Sequence, residues 1–258
     1  MGRVVNLADV VRFQFPMLRS GMWRRHPSFL WHYPATVARH VRAIKSAAPI
    51  QAEFEKNAAD GQFEERWFDV HVVPWHAALS RVFNRDDALN ILEIGSWEGR
   101  STLFIATYFP NATITAVDTW EGSDEHLANV AAERGIEGRF DHNLAFAAGR
   151  LTKCRGMSSS VLPELLANRC RYDLIYVDGS HYAPDVLSDA LAAWQMLRQG
   201  GVVIFDDFLW KHYPRRRANP GWAISQFLRF HAGEYRILGA YYQLIVQKTV
   251  EHPDRPAH

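Results

Sequence analysis

The chain predicts an α/β fold: a doubly wound, mostly parallel sheet with an antiparallel C-terminal hairpin and a helical N-terminal extension. Three observations carry this. From residue 89 onward, short apolar runs alternate with segments of helical period, which predicts parallel strands covered on both faces. The first run breaks at Gly95 and Gly99 and then becomes a helix, the strand–glycine turn–helix unit that opens nucleotide-binding α/β folds. The last two runs, 234–240 and 242–249, are joined too tightly for a helical crossover and read as an antiparallel pair.

Taken in order, residues 34–60 have helical character, with Pro34 suited to a first turn and Val37, Val41 and Ile44 at helical spacing. Asp60-Gly61 marks a break, and 62–84 continue with helical spacing and a bend near Pro74. Residues 1–87 are therefore expected to form an aromatic-rich helical extension, a lid or a dimerisation element, ahead of an α/β domain over 88–250 and a tail over 251–258. Within that domain the strands are expected at 90–94, 112–118, 151–156, 172–178 and 201–207. Helices are expected from Ser101, around 124–134, from Ser158 through Leu166 with serine caps, from Pro184, and near 221–231. The Pro184 helix places Val186, Leu187, Ala190, Leu191, Trp194 and Leu197 on one side, and Gly200-Gly201 is expected to end it.

Composition bounds the function. The 258 residues are 48% apolar and 22% charged, ordinary for a globular chain. The net charge of +1 calls for no polyanionic partner such as nucleic acid. Two cysteines, Cys154 and Cys170, are too few for a zinc motif or a disulfide framework and fit a reducing cytoplasm. No stretch reaches the roughly 18 apolar residues of a membrane span. Residues 3–31 mix arginines with aromatics, and Asp9 interrupts them, so they do not form a signal peptide; they suit an amphipathic membrane-surface segment or a helix packing on the domain or on a second subunit.

The chemistry-bearing residues gather at strand ends. Glu93 sits inside an apolar run, where a carboxylate is costly without a partner. Asp118 closes the second strand, where an acidic residue accepts hydrogen bonds from ribose hydroxyls. Ligands of doubly wound sheets bind outside the carboxyl ends of the strands, so Asp118, Asp178, Asp206 and Asp207 share one rim. Asp178, Asp206 and Asp207 together repel unless a cation sits between them, and a hard divalent ion such as magnesium suits oxygen ligands; singly, Asp178 and Asp207 also suit loop caps. His181 lies three residues past a strand end, over the same rim. Base, member of the metal shell and bystander all fit its position.

Four segments carry a family resemblance: Glu93-Ile94-Gly95-Ser96-Trp97-Glu98-Gly99-Arg100-Ser101, Val117-Asp118-Thr119-Trp120, Val177-Asp178-Gly179-Ser180-His181-Tyr182 and Gly200-Gly201-Val202-Val203-Ile204-Phe205-Asp206-Asp207-Phe208. Together they resemble class I S-adenosylmethionine-dependent methyltransferases, Rossmann-like in fold. Within these the chain is most similar to the metal-dependent macrocin and mycinamicin sugar O-methyltransferases, and more distantly to catechol-type enzymes. The resemblance covers about 88–250. It implies S-adenosylmethionine and Mg2+ as cofactors and a small-molecule hydroxyl as acceptor, a sugar or mannoside/glucoside first and a phenolic or other natural product second. A non-catalytic S-adenosylmethionine-binding or membrane-surface module is the alternative of another class. The implied cofactor residues are Glu93, Gly95, Ser96, Gly99, Ser101, Asp118, Thr119 and Trp120, with Ser158 beside adenine; Asp178, Asp206 and Asp207 take the metal, and Asp178 and His181 are catalytic. Where the sugar enzymes carry a second aspartate, this chain has Ser180, so His181 stands in as base. Tyr182, Trp210, His212 and Tyr213 offer aromatic faces with polar tips for an acceptor.

Overall fold

The computed structural model describes residues 26–122 and 135–250. The expectations for 3–25, for a helix around 124–134 and for the tail lie outside the described residues.

The extension is one long helix, α1 (Phe29–Asn57), a 3-10 turn over Trp67–His71 and a short helix α2 (Val72–Leu79). The α/β domain follows as β1 (Asn90–Ile94), α3 (Arg100–Tyr108), β2 (Thr113–Asp118), α4 (Ile136–Asn143), β3 (Leu151–Arg155), α5 (Ser158–Ala167), β4 (Tyr172–Val177), α6 (Ala183–Met196), β5 (Leu197–Phe205), α7 (Pro220–Phe230), β6 (Tyr235–Ala240) and β7 (Leu244–Lys248). They form one sheet in the order β3-β2-β1-β4-β5-β7-β6. β3 to β5 are parallel, and β7 runs antiparallel between β5 and β6. The order reverses beside β1, which puts the crevice of a doubly wound sheet at the ends of β1 and β4. Leu174, Ile175, Val202, Val203 and Ile204 are fully buried, as central parallel strands require.

Several local expectations are corrected. α1 begins at Phe29, so Pro34 lies inside the helix instead of opening it. Its buried stripe, Phe29, Tyr33, Val37, Ile50 and Phe54, starts upstream of the proline and outweighs the hydrogen bond that Pro34 removes. Residues 62–66 are not helical; α2 is confined to the apolar segment after His71. α5 has Met157 at its cap position and no side-chain cap, so its serines do not cap it. Gly200-Gly201 lie within β5 and do not end α6. The β4–β5 register jumps from Tyr172↔Leu197 to Leu174↔Val202, and the glycines absorb the bulge. Gly200 takes φ +83°, and a Cβ on Gly201 would stand 2.8 Å from the Asp173 carbonyl oxygen.

α1 packs on α2, α3 and β6, so the extension joins the core of the α/β domain. No described helix is long and apolar enough to cross a membrane.

Candidate active site at the strand-end rim

The turn after β1 is held by its neighbours. Gly95 has φ +88°, and a Cβ there would lie 2.0 Å from the Asp178 carbonyl oxygen, so only glycine lets the β1 turn pass under the β4 loop. Gly99, at φ +81°, packs against Leu144 and Phe140. The Asp118 carboxylate is largely occupied by backbone. Ser96 N and Trp97 N donate to Oδ2 at 2.7 and 2.8 Å, and Trp120 N donates to Oδ1 at 2.6 Å. A carboxylate has about four acceptor positions, so one remains for a ligand hydroxyl. Asp118 thus fastens the β1 turn to the end of β2. Thr119 accepts from Glu121 N, and Trp120 donates from its ring to Trp97 O at 3.1 Å. Trp97, Trp120 and Asp207 are all non-glycine residues with positive φ at this rim, where strain commonly marks a functional site.

Glu93 is fully buried beneath the turn, not on a pocket wall. Burial lifts its carboxyl to about 7, with the Ser101, Thr102 and Ser96 hydroxyls pulling the other way. Its partner is the Thr102 hydroxyl, so it anchors α3 to β1.

At the ends of β4 and β5, Asp178, His181 and Asp207 bring three ligand atoms within 4.8 Å of one another. His181 Nε2 lies 2.8 Å from Asp207 Oδ2. Asp206, expected as the third ligand, is outside this set. Its Oδ2 faces the Tyr176 hydroxyl and accepts from Gln243 Nε2 at 3.0 Å, while Oδ1 accepts from Asp207 N at 2.7 Å. Tyr176 OH also sits 2.9 Å from Asp178 Oδ2, between the two carboxylates. Burial, then repulsion by Asp206 and Asp207, pushes the Asp178 carboxyl well above the usual range; His181 opposes it. Burial and Asp207 raise Asp206 as well, against His71. The rim is short of positive charge.

Behind it lies a network that the sequence reading missed. Trp75 Nε1 and Tyr241 OH donate to Gln243 Oε1 at 2.7 and 2.5 Å, His71 Nδ1 is 3.1 Å from Tyr241 OH, and Tyr242 OH donates to Asp207 Oδ1 at 2.7 Å. Tyr176 was legible as the residue two before Asp178 on the same strand face. Tyr241, Tyr242 and Gln243 fill the β6–β7 turn, which carries no motif.

The aromatic residues named from sequence do come together. The His181 and Trp210 rings are 4.9 Å apart, Trp210 stacks on His212 at 5.1 Å, and Tyr213 contacts His212 at 5.3 Å and Tyr182 at 5.7 Å. Asn219 fixes this loop: its Oδ1 accepts from His212 N and Tyr213 N, and its Nδ2 donates to Tyr213 O. Ser180 instead bonds Asp185 at 2.8 Å and accepts from Tyr182 N, shaping the start of α6.

The glycine turn also grips the extension. Glu98, 1% exposed, accepts from Glu64 N at 2.8 Å and pairs with Arg139 at 2.9 Å. Arg100 forks onto Asp69 at 2.6 and 2.9 Å. The extension is therefore docked on the turn within its own chain.

Ser158 sits beside Asp189, which is 2% exposed on α6. Burial raises the Asp189 carboxyl to about 6, with Ser158 opposing and Asp185 adding to the rise. A raised folded pKa makes the contribution to stability full below the unfolded value near 4 and lost as pH climbs through about 6. Asp189→Asn should therefore gain roughly 2–3 kcal/mol over the parent at pH 8 and little at pH 4, as read by denaturant melts at both pH values.

Residues 92–208 match the family model of a methyltransferase domain. The MycE methyltransferase of the mycinamycin biosynthetic pathway, solved with Mg, SAH and mycinamycin VI, is 16% identical with a TM-score of 0.53, over 80% of this chain and 57% of that one. The O-methyltransferase TomG of Streptomyces achromogenes, involved in tomaymycin synthesis and solved with SAM, is 20% identical with a TM-score of 0.50, over 79% of this chain and 90% of that one. A curated tRNA1(Val) (adenine(37)-N6)-methyltransferase of Pedobacter heparinus is 31% identical over 108 residues, 42% of this chain and 39% of that protein. The chain thus spans little more than half of MycE and well under half of the tRNA enzyme. Residues 92–208 thus match a methyltransferase domain, and the chain shares the fold of these methyltransferases.

Proposed function

We propose that the protein transfers a methyl group from S-adenosylmethionine to a hydroxyl of a small molecule, with a sugar as the first candidate and a divalent cation at the rim. The observation that carries this is the convergence of Asp178, His181 and Asp207 beside the glycine turn. The donor set fits a cation: two carboxylates and an imidazole lie within 4.8 Å, and Asp178 is crowded by negative charge. With a nitrogen among the donors, manganese suits it as well as magnesium. When bound, such an ion lowers the pKa of an adjacent hydroxyl.

The chain's own residues do the rest. Gly95, Ser96, Gly99, Ser101, Thr119 and Trp120 form the cofactor cradle, Glu93 supports it from below, and Asp118 offers its remaining acceptor position to a ribose hydroxyl. Ser158 borders the adenine side. Tyr182, Trp210, His212 and Tyr213 give the acceptor stacking faces and hydrogen-bonding tips. An imidazole that gives one ring nitrogen to a cation carries its proton on the other, so His181, with Nε2 2.8 Å from Asp207 Oδ2, serves this set as a donor to the ion beside the acceptor hydroxyl. Methyl transfer is a displacement, so orientation of the acceptor by this wall matters most.

A phenolic acceptor suits the same aromatic wall. A panel of free and oligomeric sugars, phenols and a tRNA, assayed with labelled S-adenosylmethionine, separates the readings. Transfer to a sugar hydroxyl is expected; transfer to tRNA alone would refute the small-molecule reading.

A further inference from the structure

The extension carries a second feature, remote from the rim. Arg39 and Arg42 on α1 and Arg81, just past α2, converge on one open cleft of about 290 Å³, with Ser46, His76 and Ser80 completing it. Among the described residues, no acidic side chain lines this cleft. Arg85 pairs with Glu53, Arg100 with Asp69, Arg139 with Glu64 and Glu98, Arg155 with Glu137, and Arg198 with Asp173. Among the described residues, no ion pair is found for Arg39, Arg42 or Arg81.

The charges act on one another. Among the described residues, Arg39 hydrogen-bonds the Thr36 hydroxyl, at 2.9 Å, and its partial burial and the charge of Arg81 both lower its proton affinity. Burial, and after it the charge of Arg39, lower that of His32. The floor is a fixed polar chain: His76 Nδ1 lies 2.9 Å from Tyr108 OH, and His76 Nε2 lies 3.0 Å from Ser46 Oγ. Tyr108 ends α3, whose start carries Gly99 and the cofactor turn. The nine residues of α3 span about 13 Å, so the cleft is not part of the rim.

Three guanidinium groups around a concavity repel until an anion lies between them. Their planar forks match the oxygens of a tetrahedral oxyanion, and hydroxyl donors beside them add to the match. We infer that this cleft between α1 and α2 binds a phosphate-type oxyanion, carried either by a soluble phosphorylated compound or by an anionic lipid headgroup. This inference does not rest on the methyl-transfer reading.

The test uses the full chain in a buffer free of phosphate. Pyrophosphate and inorganic phosphate are titrated in by calorimetry, and sedimentation is measured with vesicles of neutral lipid with and without anionic phospholipid. The expected result is saturable binding in one of the two arms, weakened roughly tenfold or more in Arg39→Gln/Arg81→Gln, the loss that follows removal of charge-assisted hydrogen bonds. Both side chains are at least partly exposed, and the circular dichroism spectrum and Tm should be unchanged in the variant, which shows that it folds. Pyrophosphate binding identifies a soluble ligand, and binding to anionic vesicles alone identifies a headgroup. No saturable binding in either arm, or binding that the double variant leaves intact, overturns the inference.

Discussion

Asp207→Asn is expected to lower methyl transfer roughly a hundredfold or more, since even partners outside the first coordination shell are worth 10–100-fold. The substitution is chosen for the backbone. Asp207 has φ +54°, a region that asparagine tolerates almost as well as aspartate and alanine does not. The amide keeps an acceptor for Tyr242 OH, which bonds Oδ1 at 2.7 Å, so the fold is retained. What is lost is one negative oxygen of the Asp178–His181–Asp207 set. Asp206→Asn should cost much less, because its carboxylate faces Tyr176 and Gln243 and not the cation position. Rates and manganese affinity measured on both variants check this. Equal losses in the two would place Asp206 back among the ligands.

Gly95→Ala should destabilise the chain by at least about 2–3 kcal/mol, the upper part of the range for a strained backbone position. Two penalties add there: φ of +88° and a Cβ placed 2.0 Å from the Asp178 carbonyl oxygen. Gly135→Ala is the control, since Gly135 has φ +60° with none of the described residues within 4 Å of an added Cβ. It should lose only about 1 kcal/mol, the cost of the left-handed conformation alone. At about 2–4 °C per kcal/mol for a chain of this size, thermal melts resolve the difference. Matching Tm values for the two variants would contradict the close approach of the β1 turn to the β4 loop.

The features legible in the sequence were those with a period or a fixed offset. Alternating runs gave the parallel strands, the short 240–244 link gave the antiparallel pair, and aspartates at strand ends gave the rim. Errors fell where tertiary burial overrides local preference. Pro34 is carried inside α1 because Phe29 and Tyr33 bury upstream of it, and Gly200-Gly201 serve a bulge and not a stop. At the site, adjacent aspartates cannot be told apart by sequence. Successive residues diverge in direction, and the turn at Asp207 sends its carboxylate to His181 while Asp206 points to Tyr176. Nor does the sequence reveal that the backbone N–H groups of Ser96, Trp97 and Trp120 take three of the acceptor positions of Asp118. The grip of Glu98 on Glu64 N involves a backbone donor, which no side-chain pattern reveals.

The proposal of cation-assisted methyl transfer places that chemistry at the shared rim of β1, β4 and β5. Its most direct test is transfer of a labelled methyl group from S-adenosylmethionine to the best acceptor of the panel, before and after exhaustive chelation. The predicted result is loss of transfer on chelation, retained binding of S-adenosylhomocysteine by calorimetry, and recovery of the rate on adding magnesium or manganese. Undiminished transfer in excess chelator would contradict it.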